Sequence, residues 1–249
     1  MKETPPFTVV YEDEDIIAVN KASGISVGGD RWDESKDRLD RLVSGIVPPE
    51  TKVFVVHRID RETSGLVVFA KNEEAHRRLS LAFEGRGVKK HYIAIVYGRP
   101  SWQETACDLP LIPNGNKRHM TIIDKFRGKK SLTRFNLWGS AGNFSVLEVF
   151  PETGRTHQIR VHAAALGYPV VCDSLYGDDK PVLLSAFKKN WRGDLLEEKP
   201  LLARLGLHAA ELSLPERSIK PLKAPLSRDM AALIKQMEKN GLVRHDRIL

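Results

Sequence analysis

The chain has 249 residues, 41% of them hydrophobic and 29% charged, with 39 Lys and Arg against 32 Asp and Glu for a net charge of +7. A chain of this length buries about 70% or more of its unfolded surface, so one large lobed domain or two small ones form without stapling, and the positive excess favours a polyanionic partner. Only Cys107 and Cys172 are present and Met1 to Pro6 lacks an apolar export core, which sets the expectation of a reduced cytoplasmic protein without a disulfide scaffold, a secretory leader, membrane spans or a structural metal.

In chain order, Phe7 to Tyr11 and Ile16 to Asn20 read as two short strands joined by the acidic turn Glu12 to Asp15, and Lys21-Ala22-Ser23-Gly24 ends the second. Between Asp33 and Ile46 the residues Leu39, Leu42, Val43 and Ile46 repeat at helical spacing, with Pro48-Pro49 as the stop. Thr51 to Val56 is a β-branched run and Gly65 to Phe69 an apolar strand, which leaves 57–64 as a connection. Asn72 caps a predicted helix that ends at Gly85. Strands are expected at Lys90 to Tyr97, Gln103 to Asp108, Met120 to Ile123, Ser131 to Trp138 and Phe144 to Phe150. A helix follows from Thr156 to Leu166. Residues 178–206, with Trp191, Pro181 and Pro200, show no clean period and read as a surface excursion. Leu207 to Leu214 is a last strand, and Ser227 caps a helix running to Lys239 with Gly241 beyond it. Long strand runs with a few separated helices predict an α+β fold with a large, mostly antiparallel or mixed sheet and flanking helices.

The connection His57-Arg58-Ile59-Asp60-Arg61-Glu62-Thr63-Ser64 sets Asp60 among basic and aliphatic neighbours. Two readings stand: a side-chain-stabilised turn, or a working carboxylate. From Ile112 to Arg134 the residues Lys117, Arg118, Lys125, Arg127, Lys129, Lys130 and Arg134 face one acid, Asp124. This is either a solvated hairpin loop or a phosphate-contacting surface for RNA or DNA.

Pro151 to His162 runs from a strand end through a turn into the predicted helix, where Arg160 follows Thr156 by four residues and His157 by three. A guanidinium there holds a carboxylate by two parallel hydrogen bonds, and such a partner keeps Asp60 ionised. The histidines His57, His91, His157, His162 and His208 are read first as residues satisfying backbone groups. No serine triad, phosphate loop or nicotinamide fingerprint is present.

The motifs HRIDRETSGLVVFAK, PETGRTHQIRVHAAALGYPVVCDSLYG and RLGLHA resemble, in order, those of the RluA family of RNA pseudouridine synthases, and YEDEDIIAVNKASG resembles its first strand pair. The resemblance implies the pseudouridine synthase catalytic fold over a single bilobed domain, 1–249. It implies that Asp60 acts on the ribose of a target uridine while the base detaches, rotates and rejoins through C5. Tyr92 and Arg160 complete the implied catalytic set, the first stacking on the base and the second pairing with the carboxylate. By the same resemblance Arg58 fills the space of the flipped uridine, Leu207 lines the pocket and Arg155 approaches the RNA backbone, while Lys129 and Lys130 are candidate RNA contacts from the charge of the 112–134 segment. The isomerisation conserves every atom, so no cofactor and no metal are expected.

The partner implied is a structured RNA, tRNA ahead of rRNA, with no membrane and no obligatory protein partner, and the protein is expected to be a monomer. The start close to the catalytic strands sets the expectation that no N-terminal S4 domain precedes them. Lys21-Ala22-Ser23-Gly24 and Gly28-Gly29 depart from the family's usual residues there. The competing reading is a non-catalytic RNA-binding or ribosome-assembly protein.

Overall fold

The computed structural model describes residues 5–29, 38–116, 120–187, 193–194, 197–215 and 220–244; expectations placed on Asp33, Lys117, Arg118 and Trp191 lie outside these. The strands are β1 (Phe7–Glu12), β2 (Ile16–Lys21), β3 (Phe54–Val55), β4 (Ser64–Ala70), β5 (Lys89–Tyr97), β6 (Glu104–Cys107), β7 (Leu111–Ile112), β8 (Ile122–Ile123), β9 (Thr133–Ala141), β10 (Phe144–Pro151), β11 (Leu207–Ser213), β12 (Leu222–Lys223) and β13 (Val243–Arg244). The helices are α1 (Leu39–Ser44), α2 (Glu73–Glu84), α3 (Gln158–Ala165) and α4 (Arg228–Lys239). The fold is the expected mixture of helices with largely antiparallel sheet, and the chain divides into two units, residues 1–91 with 208–226 and residues 92–207 with 227–249.

In the first unit β1, β2 and β4 form an antiparallel ladder, and β11 joins the other edge of β4 in parallel through His208↔Ser64 and Ala209↔Gly65. Farther along the same edge β3 pairs at Phe69 and Ala70. Every residue of β4 is buried, so it reads as a continuous apolar run rather than an alternation. Asn72 caps α2 as expected, its side chain accepting the Ala75 N–H at 2.8 Å, and Ala75 and Leu79 seat the helix on Ile16, Leu66 and Val68.

In the second unit β10 pairs with both β5 and β9, and the far edge of β9 carries β6 at one end and β13 at the other. The core is Ala94, Val96, Phe135, Leu137, Leu147 and Val149 from the sheet, covered by Ile159 and Ala163 of α3. Ser227 stands at the start of α4 but makes no cap bond, because its hydroxyl takes a hydrogen bond from Arg204 Nη2, and Arg204 also forks onto Asp229 at 2.7 Å. Among the described residues no helix is long and apolar enough to cross a membrane.

Candidate active site

Asp60 is half-buried on the connection between β3 and β4, with buried Ile59 and exposed Arg58 before it. The turn anticipated there exists, but the Asp60 carbonyl closes it, accepting the Thr63 N–H at 3.1 Å. The end of β2 grips the next two residues. Lys21, only 1% exposed, donates from Nζ to the carbonyls of Ala22 at 2.8 Å and Arg61 at 3.0 Å. The Arg61 carbonyl also accepts the Gly24 N–H at 2.9 Å, Arg61 Nε donates back to the Gly24 carbonyl at 3.0 Å, and Ser23 Oγ donates to the Glu62 carbonyl at 2.7 Å. The Lys-Ala-Ser-Gly segment, which departs from the family pattern, is therefore a clamp on the Asp60 loop. The sequence signal for it is a lysine closing an apolar strand, and its burial requires oxygens in place of water around the ammonium.

His57 serves the same loop structurally. Its Nε2 accepts the Val68 N–H at 2.9 Å, and its ring stacks on Phe83 with centroids 4.5 Å apart. Val68 lies between the stretch of β4 paired with β11 and the stretch paired with β3, so the imidazole supplies an acceptor where no strand does. Burial, with the Lys90 charge adding to it, pushes the His57 pKa down to about 3. A neutral ring is what an accepting Nε2 requires.

The first and third motifs are joined side by side. Ser64 Oγ lies 2.9 Å from His208 Nδ1. Gly65 has φ +113°, and a Cβ there would stand 2.2 Å from the Ala209 carbonyl oxygen.

In the second motif α3 begins at Gln158, two residues later than expected, because His157 takes a left-handed conformation at φ 53°. Thr156 and His157 thus precede the helix rather than share its face with Arg160. Arg160 makes two parallel hydrogen bonds to Asp173: Nε reaches Oδ2 at 2.8 Å and Nη2 reaches Oδ1 at 2.7 Å. Their side chains are 5% and 0% exposed. Asp173 Oδ1 also accepts the N–H groups of Leu175 and Tyr176, at 3.0 and 3.1 Å, folding a turn that sets Tyr176 beside the guanidinium with its ring centroid 5.2 Å from Cζ. Burial pushes the Asp173 carboxyl up, but Arg160 and the two amides outweigh it and hold the group below the usual carboxylate range.

The rest of that motif is a polar spine. Gln158 Oε1 accepts from Thr153 Oγ1 at 2.7 Å and the Arg155 N–H at 3.1 Å, while Nε2 donates to the Leu132 carbonyl and Thr133 Oγ1, both at 2.9 Å. Thr133 Oγ1 is 2.9 Å from His162 Nδ1, and His162 Nε2 is 2.9 Å from the Leu109 carbonyl. Burial lowers the His162 pKa, opposed by the Leu109 bond and the Asp108 charge. His157 Nδ1 is 2.9 Å from the Tyr176 hydroxyl, which accepts the Thr121 N–H. These histidines hold the motif in shape.

Tyr92, in β5 opposite Val149, is half-buried on the core that contains Leu207, itself 2% exposed. Lys129 and Lys130 are exposed, and Arg155 Nε and Nη2 reach the Lys130 carbonyl at 3.4 Å each. Sequence reasoning missed Lys21, Gln158 and Asp173.

A clamped aspartate loop in the first motif and a buried guanidinium–carboxylate fork in the strand-to-helix motif are thus the two fixed features of these motifs. Residues 15–165 match the family described as RNA pseudouridylate synthase, and the chain belongs to that family. The dual-specificity RNA pseudouridine synthase RluA of Vibrio vulnificus is 36% identical over 216 residues, covering 84% of this chain and 78% of that protein. An uncharacterized RNA pseudouridine synthase of Zymomonas mobilis is 35% identical over 218 residues, covering 87% of this chain and 91% of that protein. Among solved structures, human RNA pseudouridylate synthase domain containing 1 superposes with a TM-score of 0.69 at 26% identity, covering 91% of this chain and 86% of that one. The protein is an RNA pseudouridine synthase of the RluA type.

Proposed function

We propose that Asp60 is the carboxylate that acts on the ribose of a uridine turned out of a structured RNA. The observation carrying this is the clamp on its loop: four hydrogen bonds join Lys21, Ser23 and Gly24 to Arg61 and Glu62 just after Asp60, while the Asp60 side chain stays only half-buried. A reacting group held this way spends little orientational freedom when substrate arrives. Extruding a base costs a few kcal/mol, and exposed Arg58, two residues before Asp60, offsets part of it by filling the vacated stack.

Tyr92 offers its ring to the base and rests on the core that includes Leu207. Arg160 belongs to the reacting set, with the Asp173 fork anchoring one edge of its guanidinium and the Nη1 edge outside that fork. Arg155, Lys129 and Lys130 meet the RNA backbone. The substrate is tRNA ahead of rRNA, and the enzyme works in the cytoplasm as a monomer.

The test is pseudouridine formation by the wild type and by Asp60→Asn on separated tRNA and rRNA fractions, with RNA affinity measured alongside. The substituted protein should bind RNA normally and form no product. Turnover by Asp60→Asn overturns the assignment, and product confined to rRNA overturns the order of substrates.

A further inference from the structure

The turn at 124–128 presents an aromatic ring with no protein cover: Phe126 is 98% exposed. The loop beneath it is tightly built. Asp124 Oδ1 accepts the N–H groups of Phe126 at 3.0 Å and Arg127 at 2.9 Å, Oδ2 accepts Arg127 Nε at 2.9 Å, and the Asp124 carbonyl accepts the Gly128 N–H at 2.9 Å. A Cβ at Gly128 would lie 2.3 Å from that carbonyl oxygen and 2.7 Å from the Pro110 carbonyl carbon, so the turn closes only over glycine. Two bonds between Leu111 and Lys129, at 3.0 and 2.8 Å, tie its base to the β7–β8 hairpin. The amides of Arg127 and Phe126 hold the Asp124 carboxyl below its usual range, so the loop keeps its shape at neutral pH.

The surround of the ring is cationic. Lys125, Lys129 and Lys130 are exposed and make no ion pair among the described residues, and Arg127 is held by Asp124. An interface with another protein would set such a ring within an apolar core and keep charges to the rim. Here Lys125 and Arg127 flank the ring in the chain, and Lys129 and Lys130 follow Gly128 at the base of the same turn. Single-stranded nucleic acid fits this pattern, since each base offers a flat face to an aromatic ring while its phosphates meet lysines. A paired stem offers phosphates but no open base face.

We propose that Phe126 is a stacking platform for an unpaired base of the RNA, with Lys125, Lys129 and Lys130 holding the phosphates of the same strand. This rests on the RNA-modifying reading above and deepens it by assigning a contact for the single-stranded part of the substrate.

The full chain is titrated with a short oligouridylate containing one fluorescent adenine analogue and, separately, with a perfectly paired RNA duplex of similar charge. Phe126→Ala should weaken oligouridylate binding by about tenfold and abolish quenching of the analogue, leave duplex affinity within about twofold, and be rescued by Phe126→Trp. Replacing Lys125, Lys129 and Lys130 with Gln should weaken both RNAs and flatten the salt dependence. Unchanged oligouridylate affinity and quenching in Phe126→Ala overturns the proposal, as does a change in sedimentation without a change in RNA affinity, which would make the ring a protein contact. Wild-type product formation on total RNA is followed in parallel. Product from the wild type with no binding defect in Phe126→Ala fells the stacking platform alone, whereas no product from the wild type fells the reading beneath it.

Discussion

Lys21 Nζ lies 3.0 Å from the carbonyl oxygen of Arg61, and this bond ties the end of β2 to the residue that follows Asp60. Lys21→Met keeps the volume of the stem and removes the donations to the Ala22 and Arg61 carbonyls. Asp60 then samples more positions without losing its charge, so kcat should fall by about 10- to 100-fold while RNA affinity changes by less than about threefold. Stability should drop by about 1–3 kcal/mol, because the Arg61 and Ala22 carbonyls lose a partner. Single-turnover rates set beside equilibrium binding separate the two effects. A normal rate constant in a folded Lys21→Met protein would show that the clamp does not position the loop.

The Arg160–Asp173 fork combines support for the fold with a proposed part in catalysis, and the two can be separated. Asp173→Asn removes the carboxylate charge that the buried guanidinium forks onto, which costs about 3–5 kcal/mol. Replacing the pair together, as Arg160→Met with Asp173→Leu, removes both charges and should recover much of that loss in urea unfolding. The double variant should nevertheless form no pseudouridine. Recovery of activity along with stability would reduce Arg160 to a structural residue.

What the sequence could and could not disclose follows the range of the interactions. The α2 cap at Asn72, the connection around Asp60 and the strands β5 and β10 depend on neighbouring residues, and their signals are periodicity and turn chemistry. The fork of Arg160 onto Asp173 depends on a turn thirteen residues away, and helical spacing alone cannot point to that carboxylate. The early start predicted for α3 failed for a related reason. His157 leaves helical geometry where its ring meets the Tyr176 hydroxyl, a contact that only the folded 173–177 turn supplies. The clamp by Lys21 joins two loops forty residues apart, so the basic residue at the strand end was visible and its acceptor was not.

Acid should destabilise the protein through His57. Its folded pKa of about 3 lies below the unfolded value of 6.5. Between these values the unfolded chain takes up a proton that the native ring refuses, so the stabilisation is full above about pH 6.5 and declines as pH falls. The slope approaches about 1.4 kcal/mol per pH unit for this one group. His162, also lowered, adds in the same direction. His57→Gln removes the titration and retains an acceptor for Val68. It should be less stable than wild type at pH 7.5, and the gap should narrow by pH 5 in urea melts. Parallel pH profiles for the two proteins would remove His57 from the acid response.

Gly65 tests how closely the first and third motifs must approach. Its φ of +113° is a conformation that L side chains rarely adopt, and an added Cβ would meet the Ala209 backbone at 2.2 Å from O and 2.6 Å from N. Neither obstacle is a movable side chain, so β11 must separate from β4 at the Ala209↔Gly65 pair, straining the neighbouring contact between Ser64 and His208. Gly65→Ala should therefore cost about 3 kcal/mol or more, a fall in melting temperature of about 6–12 °C for a chain of this size. The next residue separates close approach from general sensitivity of the strand: Leu66→Val keeps the backbone and removes one buried methylene, at about 1 kcal/mol. Equal melting temperatures for the two variants would show that β11 can shift to admit a side chain, and that the contact between these motifs is looser than the distances state.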